Sequence, residues 1–334
     1  MINDPQKILD TAEGAFACDA VRRATQLARH IQREMVTPAL TKGDRSPVTV
    51  ADFAVQAVVA KLLGDALPET ILVGEEDAAE LRTAEHAEAL EQVTRFVQTM
   101  FPEVNAEAVC DWIDRGGAEP TSRFWTLDSI DGTKGFLRGE HYAVALALVV
   151  EGRVELGVLG CPHLTDGWKN EIGGPGSVIL AARGQGTWSA AVSGGPWTRL
   201  SVSQRADAAE ARLLRSFESG HTNTGQIGQL VETLGSRADP VLMDSQAKYS
   251  VLAAGAGDLL LRLLSAKQPD YREKIWDQAA GSLVVEEAGG RVSDLDGRAL
   301  DFSHGRTLAT NRGVLASNGL LHEAALAALK SIGA

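Results

Sequence analysis

Acidic side chains cluster at places in the sequence where an apolar segment ends. Glu75 follows the apolar run 71–73, and Asp128 and Asp131 follow the apolar stretch 124–127. Ligand sites of open α/β folds lie where strands give way to loops, so this placement favours a site. Hard oxygen donors at this density are the ligands that Mg²⁺ prefers. The acidic candidates are Asp52, Glu75, Asp128, Asp131 and Asp277.

A pair of magnesium ions would give these carboxylates a common chemical role. Two such ions about 4 Å apart can bind both the attacking water and the leaving oxygen of an in-line phosphoryl displacement. The water also needs a group that orients it and accepts its proton, which a hydroxyl relayed to a carboxylate can do. Thr133, close behind Asp131, and Asp52 are the candidates for this role. The residue types therefore predict hydrolysis of a phosphate monoester.

Each acidic candidate also has a purely structural explanation. Thr49 and Asp52 stand at capping-box spacing, so Asp52 could cap a helix. Asp277 opens a predicted helix and could cap it in the same way. Glu75 begins an acidic run that could be a solvated surface. The Asp-Gly pair at Asp131 is typical of a turn, but two spaced acids followed by a threonine are more than a turn requires.

Helical periodicity dominates the first third of the chain. Apolar residues recur at helical spacing over 5–36, which predicts one long helix with a kink near Ala17. A second helix is expected over 50–67, with Thr49 as its N-cap. The stretch 78–118, rich in Ala, Glu and Leu, predicts a helical insertion that leads back to the core.

Strand patterns appear from the middle of the chain onward. Two apolar runs joined by Glu-Gly predict a β-hairpin over 142–160, and a second hairpin is expected over 177–188. From residue 211 helical and strand-like segments alternate. They include a helix over 277–288, stopped by two glycines, and a strand over 291–295. These patterns predict an α/β second half.

The composition is that of a soluble globular protein with an excess of acidic residues. The 334 residues are 44% hydrophobic and 23% charged, with a formal net charge of −12. This charge argues against a nucleic-acid polymer as partner, and no apolar run approaches a membrane span. No secretory signal is visible, so a cytoplasmic location is expected, and three scattered cysteines argue against a disulfide framework. A phosphorylated substrate would need local positive charge.

Four short segments resemble one known family, the lithium-sensitive, magnesium-dependent phosphatases related to inositol monophosphatase. They occur in the family's order and cover most of the chain. Any one of them is a weak signal, but four in register are hard to explain by chance. Ser129 departs from the family, which usually has Pro there, although no ligand is lost. The segments are 46–52, 73–77, 127–136 and 276–277.

The resemblance implies a role for each matching position. It implies two or three Mg²⁺ ions as cofactor and assigns activation of the water to Thr133 and Asp52. The metal ligands that it implies are Glu75, Asp128, the backbone carbonyl of Ile130, Asp131 and Asp277.

Segments 134–139 and 271–277 resemble the 3'(2'),5'-bisphosphate nucleotidase branch of this superfamily. That branch implies hydrolysis of adenosine 3',5'-bisphosphate to AMP and phosphate, with 3'-phosphoadenylyl sulfate as a second candidate substrate. Lys and Arg among the matching positions would supply the local positive charge. The substrate contacts that it implies are Gly132, Thr133, His221, Ser245, Lys248, Arg262 and Asp277.

The fold that follows from the resemblance is a layered α/β (α+β) architecture of the two-lobe sugar-phosphatase type, with alternating helix and sheet layers. We expect lobes over 1–175 and 176–334 with the site between them. One alternative is an inositol or sugar phosphate monophosphatase of the same superfamily. Another is a nucleotide- or metal-binding regulator without turnover, against which the retention of Asp52 and Thr133 argues. The sequence leaves the oligomeric state open.

Overall fold

The computed structural model describes residues 5–36, 46–216, 224–264 and 268–334 of the chain. In these residues helices and sheets alternate around three hydrophobic clusters. One cluster joins the N-terminal helices to a large sheet, the second joins that sheet through two helices to a smaller sheet, and the third covers the far face of the smaller sheet. The predicted alternation of helix and sheet layers is confirmed.

The helices begin and end at recognisable signals. Thr11 separates the first two, and its side-chain hydroxyl accepts a hydrogen bond from the amide of Gly14 at 3.0 Å, which caps the second helix. A π-helical turn, Gln32–Val36, follows that helix. The α-helices are α1 Gln6–Leu9, α2 Ala12–Ile31, α3 Ser46–Ala66, α4 Ala87–Gln98, α5 Ala106–Asp114, α6 Thr133–Arg138, α7 Thr224–Leu234, α8 Ala247–Ala253, α9 Ala279–Glu287 and α10 His322–Ser331.

The large sheet has seven strands in the order β1-β2-β3-β4-β7-β8-β9. Strands β1 and β2 are parallel, and the other neighbours are antiparallel. The short strands β5 and β6 form a separate hairpin. The strands are β1 Ile71–Gly74, β2 Arg123–Asp131, β3 Ala143–Val150, β4 Arg153–Cys161, β5 Leu164–Thr165, β6 Lys169–Asn170, β7 Ser177–Ala182, β8 Gly186–Ala191 and β9 Thr198–Leu200.

The small sheet has five strands in the order β11-β10-β12-β14-β13. Strands β11, β10 and β12 run parallel, whereas β14 is antiparallel to both of its neighbours. Its strands are β10 Leu213–Arg215, β11 Val241–Leu242, β12 Leu259–Arg262, β13 Arg291–Ser293 and β14 Val314–Ser317.

Strand β3 shows how the sequence builds the layers. Its larger residues, such as Val144 and Leu146, point to the N-terminal helices, while the alternating alanines point to α8 and α9. Small side chains let α9 approach the sheet closely. At Gly157 on β4, an added Cβ would lie 3.0 Å from the carbonyl oxygen of Ala280 on α9.

Several predicted boundaries were wrong. The long first helix breaks at Thr11 rather than near Ala17, because that residue caps a new helix. The second helix already begins at Ser46, so Thr49 lies inside it and is not its N-cap. Asp128 and Asp131 were expected to follow the apolar stretch 124–127 as a strand exit, but β2 continues through them to Asp131, with an irregularity in its pairing with β3.

Other predicted elements are confirmed. The helical insertion contains α4 and α5, and both expected hairpins are present as β3–β4 and β7–β8. The division into two lobes stays a prediction. A boundary drawn by sheets would fall after Leu200 rather than at residue 175, because β7, β8 and β9 complete the large sheet.

Candidate active site

A cavity of about 410 Å³ lies where β1 and β2 end and where the loops after β11 and β12 approach them. Its size is within the range of small-molecule sites. Two predicted residues are not part of this lining. Asp52 lies outside it, and His221 is outside the described residues. The predicted residues that line the cavity are Glu75, Asp128, Ile130, Asp131, Gly132, Thr133, Ser245, Lys248, Arg262 and Asp277.

Strand pairing explains why the acidic residues come together. Gly74 is the register partner of Leu127 in the parallel pair β1–β2, so the next residues, Glu75 and Asp128, leave neighbouring strands at the same edge. Asp131 follows on the same strand, and Asp277 enters from the turn before α9. We call these four residues the acidic wall of the cavity.

Asp128 is the most deeply buried member of the acidic wall, with 3% of its surface exposed. Its Oδ1 atom has no hydrogen-bond partner among the described residues. Burial raises its pKa well above the ordinary value, and the nearby Asp131 and Glu75 carboxyl groups raise it further. A buried carboxylate with no partner is costly to ionise, so this position needs a positive charge.

The other acidic groups show the same tendency. Burial raises the pKa of Asp277 well above its usual range, and desolvation in the cleft together with Asp131 raises that of Glu75. The Oδ1 atom of Asp128, which has no partner among the described residues, is a hard oxygen donor that fits a divalent cation such as Mg²⁺. In the described part of the chain, however, no three Asp, Glu, His or Cys side chains converge as a finished metal cage.

The loop after β2 depends on glycine. Gly132 has a left-handed backbone with φ of 99°, and an added Cβ would lie 2.8 Å from the Cβ of Ser245. At Gly135 the added atom would lie 2.0 Å from the carbonyl oxygen of His141. The two glycines thus let the loop that carries Asp131 pack directly against the loop that carries Ser245.

Asp52 lies behind the acidic wall on α3. Burial raises its pKa well above the ordinary value, and the carboxyl groups of Glu76 and Glu75 add to this effect. Burial and Glu75 likewise raise the pKa of Glu76 to about 7. The side chain of Gln56 on α3 holds the backbone of Glu76 in place. Its amide nitrogen donates to the carbonyl of Glu76 at 2.6 Å, and its amide oxygen accepts from the backbone amide of Glu76 at 3.1 Å. A capping role for Asp52 is excluded, since α3 begins at Ser46.

Two cations line the same cavity as the acidic wall, and we call Lys248 and Arg262 the basic wall. The two walls meet where Nη2 of Arg262 lies 3.9 Å from Oδ2 of Asp277. The ammonium group of Lys248 donates to the Ser216 hydroxyl at 3.2 Å, and burial lowers its pKa to about 8. Arg262 is bound to the buried Glu273 carboxylate, with Nη2 and Oε2 3.0 Å apart. Although burial disfavours its charge, Glu273 and Asp277 outweigh that effect and raise the pKa of Arg262.

The sequence and the fold were compared with those of known proteins. The model of the inositol monophosphatase family matches residues 11–334. The chain belongs to the inositol monophosphatase family. Its fold also matches the IMPase of Thermotoga maritima with a TM-score of 0.63 at 20% identity, covering 97% of this chain and 98% of that one. SuhB of Mycobacterium tuberculosis matches with a TM-score of 0.61 at 20% identity over 95% of both chains.

Curated relatives share more of the sequence. A protein of Oryza sativa named 3'(2'),5'-bisphosphate nucleotidase is 40% identical over 96% of this chain and 94% of its own length. Proteins of the same name from Emericella nidulans and Schizosaccharomyces pombe are 38% and 39% identical, over 94% and 92% of this chain and 96% and 91% of their own lengths.

Enzymes of the inositol monophosphatase family are generally metal-dependent, which agrees with an Asp128 oxygen that has no partner in the described part of the chain. The Ser129 departure from the family's usual Pro is accommodated inside β2, where this residue is buried. The three cysteines are buried free thiols, as expected. No helix among the described residues has the length and apolar character needed to cross a membrane.

Several residues of the site escaped the sequence reasoning, and one of them, Gln246, acts through backbone groups. The amide of Gln246 donates to Asp131, and its side-chain amide donates to the carbonyl of Trp276 at 3.0 Å. Gln246 therefore ties together the two loops that carry Asp131 and Asp277. Glu273, which holds Arg262, lies in a segment that matched the nucleotidase branch, but its sequence context alone did not reveal its partner. The other polar lining residues that were not predicted as contacts are Lys134, Ser216, Asp244, Tyr249, Tyr271 and Gln278.

Proposed function

We propose that the chain is a magnesium-dependent 3'(2'),5'-bisphosphate nucleotidase that hydrolyses adenosine 3',5'-bisphosphate to AMP and phosphate. The observation that carries this proposal is the pairing of an acidic wall with a basic wall in one cavity. A monoester needs only the first wall, whereas a substrate with a second phosphate also needs the second wall. The names of the relatives support the same substrate. Its sulfated analogue is a further candidate substrate.

The acidic wall would hold the metal in this proposal. Two or three Mg²⁺ ions would act as Lewis acids toward the phosphoryl oxygens and increase the acidity of bound water. The unpartnered oxygen of Asp128 and the raised pKa values around it support cation binding at this wall. The proposed ligands are Glu75, Asp128, the carbonyl oxygen of Ile130, Asp131 and Asp277.

Thr133 and Asp52 would move the proton of the attacking water. The side chain of Thr133 is exposed in the cavity, where its hydroxyl can orient a water molecule. Asp52 lies behind the lining, and its raised pKa makes it a better proton acceptor than an ordinary aspartate. We therefore infer a relay in which the threonine hydroxyl stands between the water and the buried carboxylate.

The basic wall would select the nucleotide. The guanidinium of Arg262 can donate two parallel hydrogen bonds to a phosphate, and the Lys248 ammonium supplies a point charge beside it. Ser245 and Gly132 lie at the contact between the two loops and would position the scissile group. His221 remains a proposed contact that lies outside the described residues.

A substrate panel tests the assignment. Phosphate release is measured from adenosine 3',5'-bisphosphate, its sulfated analogue, AMP and an inositol monophosphate, with Mg²⁺ and with excess chelator. We expect the bisphosphate to have the highest kcat/KM and chelator to abolish turnover. A preference for the inositol phosphate would transfer the assignment to that branch of the family. Binding of nucleotide without release of phosphate from any substrate would favour the regulator.

A further inference from the structure

Arg306 contacts the backbone at both ends of the acidic wall, although it does not line the cavity itself. Its Nη2 atom donates to the carbonyl of Gly74, the residue before Glu75. Its Nη1 atom donates to the carbonyl of Ala118 at 3.1 Å. The preceding residue, Gly117, forms a β-bridge with Val73 of β1. One guanidinium thus fixes the loop from which Glu75 emerges.

The same side chain also contacts the segment before Asp277. The guanidinium carbon lies 5.0 Å from the centroid of the Trp276 ring, a cation–π contact. The backbone carbonyl of Arg306 accepts a hydrogen bond from the amide of Ile275 at 3.2 Å, and Lys274 and Thr307 form a β-bridge beside it. These contacts of Arg306 therefore set the position of the Trp276–Asp277 turn.

These contacts join two chain segments that no regular element connects. Glu75 directly follows β1 of the large sheet, and Asp277 belongs to the loop between β12 of the small sheet and α9. Carboxylates that share a cation must keep their spacing against mutual repulsion, and the partners that orient them commonly alter metal affinity as strongly as they alter activity. A planar guanidinium with several donors can hold two backbone groups and a ring at once, which an ammonium cannot do.

We propose that Arg306 is a positioning residue that sets the spacing between Glu75 and Asp277 and thereby the affinity of the acidic wall for Mg²⁺. This inference rests on the metal ligands of the proposed function, but not on the identity of the substrate. It assigns to Arg306 an effect on metal binding rather than on nucleotide recognition.

Arg22 provides a matched control. Its Nη1 atom donates to the carbonyls of Ala191 and Val192 at 3.1 and 3.2 Å, and its guanidinium carbon lies 5.4 Å from the Trp197 ring centroid. It therefore makes the same kinds of contact as Arg306, but with segments that carry none of the proposed metal ligands. Loss of either arginine should reduce the stability of the fold by a similar amount, whereas only loss of Arg306 should weaken Mg²⁺ binding.

The test is isothermal titration of Mg²⁺ into chelator-treated wild type, Arg306→Met and Arg22→Met, with thermal unfolding of each protein. We expect the Mg²⁺ Kd of Arg306→Met to rise roughly 10- to 100-fold, while that of Arg22→Met stays at the wild-type value. Saturating Mg²⁺ should restore most of the turnover of Arg306→Met. An unchanged Mg²⁺ affinity, or an equal loss in both variants, overturns the inference.

A second pair guards against a variant that does not fold. Arg306→Lys keeps the positive charge beside Trp276 but cannot donate to both carbonyls. Its Mg²⁺ affinity should therefore fall between those of wild type and Arg306→Met. The control Arg22→Lys should bind Mg²⁺ as wild type does. If Arg306→Lys binds Mg²⁺ as tightly as wild type does, the positioning role of the guanidinium is refuted. A wild type that binds Mg²⁺ but prefers another monoester would refute the proposed substrate and leave this inference standing.

Discussion

The two walls of the cavity balance their charges in opposite ways. In the basic wall, Arg262 is bound to Glu273 and Lys248 donates to Ser216, so each cation has a protein partner. In the acidic wall, Asp128 is buried with an oxygen that has no partner among the described residues, and its neighbours raise its pKa. Among the described residues, the protein supplies partners for both cations of the basic wall but none for the Oδ1 atom of Asp128 in the acidic wall.

This difference predicts how each wall responds to mutation. Removing an unsatisfied charge relieves strain, so a neutral residue in the acidic wall should stabilise the metal-free protein while it removes function. Removing a charge that has a partner leaves that partner buried and without its hydrogen bond. A neutral residue in the basic wall should therefore reduce both stability and function. The variants below test this contrast.

The largest effect is expected for Asp128→Asn. Losing one ligand of a Lewis-acid site costs several kcal/mol of transition-state stabilisation, which corresponds to roughly a 1,000-fold loss of kcat/KM. The metal-free variant should nevertheless have a higher Tm than wild type, because the buried carboxyl is gone. Phosphate release with Mg²⁺ and thermal unfolding in chelator measure the two quantities. A lower Tm would show that Asp128 is stabilising and would remove the contrast between the walls.

The pH dependence of stability provides a control for this variant. A carboxyl whose pKa is raised in the folded state binds more protons there than in the unfolded chain, so stability falls as pH rises. In metal-free wild type the contribution of the acidic wall to stability should therefore be lost over a window that begins near pH 4, the ordinary pKa of a carboxyl, and extends upward. Asp128→Asn should lose less over the same window, because one of the groups with a raised pKa is absent.

Asp52→Asn tests a residue that lies behind the acidic wall. It removes the proposed proton acceptor but none of the proposed ligands, so kcat should fall on the order of 100-fold. The Mg²⁺ Kd from calorimetry and the far-ultraviolet circular dichroism should remain those of wild type. Wild-type turnover by the folded variant would show that the buried carboxyl takes no part in the reaction.

The sequence predicted those features that short segments encode. The alternation along 142–160 and its Glu-Gly turn predicted the hairpin β3–β4, and the position of Glu75 after an apolar run predicted its place at the end of β1. The layered fold followed from the family resemblance and is confirmed. The roles of the site residues stay predictions, although ten of the predicted positions line one cavity.

Contacts between distant segments could not be predicted in this way. Arg306 reaches the carbonyl of Gly74 across 232 residues, and every residue has a carbonyl, so no local pattern identifies that acceptor. The side chain of Gln246 likewise contacts backbone groups, the carbonyl of Trp276 before α9 and the amide of Gly281 inside it, which no local pattern identifies. Helix starts were also misjudged, because Thr49 has the residue type of a cap but lies inside α3.

A smaller effect on catalysis is expected in the basic wall. Lys248→Ala and Arg262→Ala should each reduce kcat/KM for adenosine 3',5'-bisphosphate by roughly 10- to 150-fold, the value of one charge-assisted contact. An inositol monophosphate, which lacks the second phosphate, should lose much less, so the two substrates converge. Equal losses on both substrates would contradict the nucleotide-binding role.

Arg262→Ala also tests the stability side of the contrast. It leaves the buried Glu273 with the side-chain amide of Gln278, 2.7 Å away, but without its guanidinium partner. Since Arg262 is itself 26% exposed, we expect a loss of about 1.5 to 3 kcal/mol in the free energy of unfolding. The double variant with Glu273→Gln should recover most of that stability but not the nucleotide preference. Recovery of the preference as well would mean that Arg262 acts only on the fold.

The smallest effect concerns the charge of Lys248, whose pKa burial lowers to about 8. The ammonium is therefore charged at pH 7 and mostly neutral at pH 9, and kcat/KM reports this pKa in the free enzyme. The ratio of kcat/KM for the bisphosphate to that for the inositol monophosphate cancels pH effects on the shared chemistry. We expect this ratio to fall by roughly tenfold between pH 7 and pH 9 in wild type. In Lys248→Arg the guanidinium stays charged throughout, so the ratio should be nearly constant even if its absolute value changes. A wild-type ratio that is independent of pH would show that the charge of Lys248 does not contact the substrate, and nucleotide selection would then depend on Arg262 alone among the two cations of the basic wall.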